Sequence, residues 1–239
     1  MIRVRGNKRS GNVVDILSSI FGLELLKKFD LPGGHMNLAC PTTLDAQFLR
    51  SEILSLYSRV LADPDGQYHF HRGAAYACEF LGYNPEELAL LPEAAKSVFA
   101  GIGNPLGMGR INPGEWILDI GCGAGMDLLL AAIQTGPSGR AVGVDMTPGM
   151  LEQARAAAKM ANLSQVEFRL GDATCLPLDD GEIDVVISNG VLNLVPEKNA
   201  ALTEIRRVLK PGGRVQIADI ALDLELSNDA RADIDLWTG

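Results

Sequence analysis

The chain has 239 residues, 47% of them hydrophobic and 21% charged, enough for one large domain or one domain with a smaller appendage. Its longest plainly apolar stretches, such as LLLAAI at 128–133, fall far below the roughly 20 residues that a membrane span needs. A net charge of −9 argues against nucleic acid as a partner, because phosphate-backbone affinity comes mainly from Lys and Arg; a small molecule is the better expectation.

The first ten residues carry Arg3, Arg5, Lys8 and Arg9 and no acid, and read as a solvated tail rather than a targeting segment. Val13, Ile16, Leu17 and Ile20 then recur at helical spacing against Asp15, Ser18, Ser19 and Gly22, which predicts an amphipathic helix over 13–29. LPGG at 31–34 breaks it. A second helical region is expected from about Leu44 to Leu61, ending at the turn signal ADPDG, and a third from EELALL towards Phe99. Between them, QYHFHRGAAY at 67–76 gathers Tyr68, His69, Phe70 and His71. No strand candidate precedes residue 115, and there is no internal repeat. The cysteines Cys40, Cys78, Cys122 and Cys175 form no CxxC pair, which suggests reduced thiols in a cytoplasm and no metal site.

From 115 the pattern changes. WILDIG, RAVGVDM, VEFRLGD, IDVVISNG and RVQIADI are short apolar runs, separated by helical patterns from Met126, at 148–161 and at 198–209. Such alternation predicts a doubly wound, mostly parallel α/β sheet, with PGG at 211–213 as the turn feeding the fifth strand.

In an open parallel sheet, ligands bind at the carboxyl ends of the strands. The first strand ends in LDIGCGAGMD, so Gly121, Gly123 and Gly125 form the loop at that place. Glycine allows positive φ and close approach of a ligand, and the helix from Met126 aims free N–H groups at the same space. A nucleotide-like cofactor is the expectation. The dinucleotide fingerprint G-x-G-x-x-G would put its third glycine at 126, where Met126 stands. Asp119 at the strand end would repel a pyrophosphate, yet suits a cationic amino-acid end such as that of S-adenosylmethionine. Asp145 ends the second strand, placed for a ribose, and Asp172 ends the third, within reach of an adenine amino group.

With these residues in view, the sequence resembles the class I S-adenosylmethionine-dependent methyltransferases over roughly 110–225, through LDIGCGAG, VGVDM, RLGDA and VISNGVLNLVPEK…EIRRVLKPGGR. Within them it is most similar to the arsenite methyltransferases, whose wording is approached also by LPEAAKSVFAGIGNP and VGVDMTPGMLEQAR. The resemblance implies a Rossmann-like core over 110–239, short at its C-terminal end and lacking the last two strands of the usual core, behind an extension over 1–35 and a helical cap over 36–109. It implies cofactor binding by Asp119, Gly121, Gly123, Gly125, Asp145, Met146, Asp172, Ala173 and Asn189.

That family holds trivalent arsenic through cysteine thiolates, soft ligands for a soft centre. Here Ile102 and Gly190 stand at two of those positions, and the third lies beyond residue 239. A different small-molecule acceptor is therefore expected, methylated by in-line displacement. Asn189 and one of His69 and His71 are the candidate catalytic groups, the histidines as a lid-borne base, against the alternative of a helix-start cluster with surface histidines. Tyr68, Asn104 and Asn193 are candidates for the acceptor pocket. A fifth strand left as an open edge invites a homodimer. Two other functions compete: a non-catalytic binder on the same fold, and a nicotinamide oxidoreductase, which Met126 and Asp119 disfavour.

Overall fold

The computed structural model describes residues 45–220; the expected helix over 13–29, the basic first ten residues, His35 and Cys40 lie outside them. Five runs rich in β-branched and aliphatic residues form the strands Trp116–Ile120 (β1), Arg140–Asp145 (β2), Val166–Leu170 (β3), Ile183–Asn189 (β4) and Leu209–Ala218 (β5). All pair in parallel, in the order β3-β2-β1-β4-β5. Leu118 faces Val142 on one side and Val186 on the other, which fixes the register at the centre of the sheet. Because both faces are covered, β1 and β2 are buried over nearly their whole length, the signature of a parallel sheet.

The helix Met126–Thr135 (here α5) joins β1 to β2, and Pro148–Met160 (α6) joins β2 to β3. Their apolar sides meet Ala141, Phe168 and the N-terminal residues Tyr83, Leu88 and Leu91 in one core layer. On the opposite face, Ala201, Ile205 and Val208 of the helix Lys198–Val208 (α7) pack on Leu118, Ile120, Val142 and Val186. Each such aliphatic side chain, fully buried, contributes about 1.5–3 kcal/mol.

Ahead of the sheet the chain forms the helix Ala46–Ala62 (α1), where Asp45 caps the first turn by accepting from the Gln47 N–H at 2.8 Å. A short turn Gly73–Tyr76 (α2) runs on into a π-turn, Ala77–Leu81. The single helix expected from EELALL towards Phe99 is instead two, Pro85–Ala89 (α3) and Glu93–Lys96 (α4). Pro92 divides them, because it lacks an N–H and holds the residue before it away from helical geometry. The PGG turn is also placed differently. Ile183 pairs with Leu209 and Val185 with Arg214, so residues 210–213 loop out of β5 as a bulge inside the strand rather than a turn before it. Among the described residues β5 is an outer strand of the sheet, and no helix is long and apolar enough to cross a membrane.

Candidate cofactor and acceptor site

The strand order reverses between β1 and β4, and the crevice at their carboxyl ends is where an open sheet takes its ligand. A cavity of about 1100 Å³, open mouth included, occupies that place. Its floor is the loop after β1. Gly121 has φ +70°, and a Cβ there would stand 2.3 Å from Val191 Cγ2, so only glycine fits. Gly123, at φ +51°, has no protein atom within 4 Å of where its Cβ would be, which leaves the backbone open to a ligand.

Asp145, at the end of β2, organises this loop. Its Oδ2 accepts from the Gly123 N–H at 2.9 Å and its Oδ1 from the Thr147 N–H at 2.8 Å. Burial raises its pKa, and these backbone donors oppose the rise. The Thr147 side chain and the Met146 N–H donate to it as well, so both oxygens are engaged. Asp119, 3% exposed, lies beside it. Burial drives the Asp119 carboxyl well above its ordinary pKa, and the charges of Asp127 and Asp145 add to the rise.

Asp127, in the first turn of α5, was not singled out by sequence. It accepts from the Tyr83 hydroxyl at 2.6 Å and from Asn189 Nδ2 at 3.0 Å. Burial raises its pKa to about 6, against the pull of those two donors. Asn189 also donates to the Gly103 carbonyl at 2.9 Å and accepts from the Ile102 and Gly103 N–H groups at 2.9 and 3.2 Å. Both ends of its amide are therefore engaged in holding the 101–103 turn against β4. Gly101 makes that contact possible, since a Cβ there would fall 2.4 Å from Asn189 Nδ2.

At the other end of the cavity, Asp172 Oδ1 accepts from the Thr174 N–H at 2.7 Å, and Oδ2 accepts from Arg50 Nε at 2.8 Å. Burial alone would raise the pKa of Asp172; Thr174 and Arg50 outweigh it and bring it below the ordinary value.

Of the residues expected at the site, Asp119, Gly121, Gly123, Asp145, Met146, Asp172 and Asn189 line the cavity. Gly125, Ala173, Tyr68, His69, His71, Asn104 and Asn193 lie outside that lining. Gly125 precedes α5 at φ +94°, packed near Ala154 and Phe168, and Ala173 is buried in the core over β1 and β4. Tyr68 stacks on Phe70, with the Arg72 guanidinium 4.2 Å from its ring centre. His69 and His71 are exposed, His71 stacked on Tyr76 and Phe80. Asn104 caps the turn Pro105–Gly107, and the Asn193 N–H donates to Asp219. Arg50, Tyr57, Phe99 and Asp127 line the cavity although no local motif marks them. Ile102 and Gly190 are neighbours in space: a Cβ on Gly190 would lie 3.5 Å from the Ile102 side chain. The described residues contain no cluster of three or more His, Cys, Asp or Glu side chains placed to hold a metal ion.

A family model described as "Methyltransferase domain" matches residues 111–238. The chain belongs to the class I S-adenosylmethionine-dependent methyltransferases. The chain is 43% identical over 165 residues to the arsenite methyltransferase of Halobacterium salinarum, covering 69% of this chain and 42% of that protein. It is 43% identical over 108 residues to the demethylmenaquinone methyltransferase of Symbiobacterium thermophilum, covering 44% of this chain and 42% of that protein. The crystal structure of an arsenic(III) S-adenosylmethionine methyltransferase from Chlamydomonas reinhardtii superimposes with a TM-score of 0.58 at 37% identity, over 62% of this chain and 52% of that one. The chain thus spans less than half the length of either curated relative.

Proposed function

We propose that the chain methylates a small-molecule acceptor other than arsenite, taking the methyl group from S-adenosylmethionine. The observation that carries the reading is the placement of Asp119: a carboxyl group 3% exposed at the end of β1, lining the cavity together with Asp127 and Asp145. Three acids gathered there favour a cation and disfavour a diphosphate. The residues fit the cofactor in three places. Asp119 would take its ammonium, the Asp145 carboxylate at the end of β2 its ribose hydroxyls, and the open backbone at Gly123 its methionine portion. When bound, S-adenosylmethionine supplies an electrophilic methyl group; the protein's task is to hold an acceptor in line with it and keep water away.

The acceptor side supports the second half of the proposal. Ile102 and Gly190 occupy, side by side, two positions at which the resembling family carries thiolates. Neither offers a soft donor, and Gly190 lines the cavity beside the apolar side chains of Phe99, Val191 and Leu194. A neutral, largely apolar acceptor suits it.

Calorimetric titration tests the first half. S-adenosylmethionine and S-adenosylhomocysteine should bind, and NAD and ATP should not; binding of NAD or ATP with the thioether product excluded would refute the reading. For the second half, arsenite with excess thiol should yield no methylated arsenic. Production of methylarsenic at a rate that depends on the protein would overturn it.

A further inference from the structure

Helix α1 straddles the crevice. Its residues Leu49 and Ile53 are buried against Met146, which follows β2, and Leu194, which follows β4. Arg50, on the same helix, repeats that span in charge. Its Nε lies 2.8 Å from Asp172 Oδ2 beyond β3, and its Nη2 lies 2.8 Å from Glu197 Oε2 beyond β4. One guanidinium therefore ties together loops from both sides of the point where the sheet order reverses, over a cavity that it also lines.

We propose that Arg50 is a nucleoside latch, a positioning residue that shuts α1 over the adenine end of the bound cofactor and sets how long the nucleoside stays. The proposal rests on the reading of the cavity as an S-adenosylmethionine site. Asp172 is the shared element. Thr174 N–H and Oγ1 both donate to its Oδ1, and the remaining oxygen, Oδ2, is the one Arg50 holds. A nucleoside seated beneath this contact cannot leave until the contact parts. Losing one partner of a charge pair acts mainly on dissociation, so the latch belongs to the off-rate.

The experiment follows S-adenosylhomocysteine on immobilised full-length protein by surface plasmon resonance. Wild-type binding comes first; its absence refutes the cavity assignment itself, separately from the latch. In Arg50→Met, which keeps an unbranched stem and loses the charge, the dissociation rate constant should rise about tenfold while association changes less than about threefold. Arg50→Lys, a point charge without the fork, should fall between the two. Salt should speed release from the wild type and have little effect on Arg50→Met, a response that simple loss of packing does not produce. Should Arg50→Met fail to fold, Glu197→Gln decides the matter, since that side chain is 45% exposed and its loss leaves the core intact. Dissociation within about twofold of wild type in the folded variants would overturn the latch.

Discussion

The two ends of the sheet carry the same kind of residue in opposite states. At the amino ends, the Glu115 carboxylate accepts both terminal nitrogens of Arg214, at 2.6 and 2.8 Å. Asp184 pairs with Lys210 at 2.7 Å, and Arg140 bridges Glu167 and Glu182. The arginine contacts pull Glu115 down to about 2 and lower Glu167. At the carboxyl ends Asp119, Asp127 and Asp145 are all raised, each chiefly by burial. One end is electrically finished. The other holds buried acids whose charged forms burial disfavours, an imbalance that a bound cation would relieve.

That contrast can be broken by substitution. Asp145→Ala removes a carboxylate from the unbalanced end and should weaken S-adenosylhomocysteine binding about 100-fold by calorimetry, as expected for two hydrogen bonds to a charged acceptor. Unchanged affinity would show that the loop after β1 is merely structural. Glu115→Gln acts at the balanced end and should do the reverse. It should lower Tm by about 2–4 °C, the shift expected for about 1 kcal/mol, and leave ligand affinity untouched. The sign with pH follows from the depressed value. Because Glu115 titrates at about 2 in the folded chain and near 4.5 otherwise, its contribution is complete above pH 4.5 and disappears as pH falls through 2. Thermal melts of wild type and variant should therefore converge in acid. The smallest effect is expected away from both ends. His69→Ala with His71→Ala should change neither affinity nor turnover by more than about twofold, given their exposed positions outside the cavity; loss of turnover with binding intact would assign them a lid role.

What sequence revealed of this molecule was what is local. A strand followed by a glycine loop and a helix is written in consecutive residues, so the five strands, α5, α6 and α7, and the acids Asp119, Asp145 and Asp172 were all legible. The division of α3 from α4 was legible too, in Pro92, but the apolar period across it is the louder signal. Residues 210–213 read as an ordinary turn, because nothing local says that Leu209 already pairs with Ile183. The missed cavity residues are missed for the same reason. Tyr83 meets Asp127 across 44 residues, Asn189 meets Asp127 across 62, and Arg50 meets Asp172 across 122. A lone arginine in an amphipathic helix looks like a solvated face until the loop that completes it is folded alongside.

The pairing of β1 with β4, Ile117 against Val185, also bears on how the molecule comes into being. A nascent chain that has emerged only as far as Leu170 already contains the glycine loop, Asp119, Asp127 and Asp145. It lacks the opposite bank of the crevice, with Asn189 and Gly190. Closure of strands far apart in sequence is slow, and until β4 pairs with β1 the acidic cluster has only one bank of the crevice. The burial that raises these acids is complete only with the fourth strand in place.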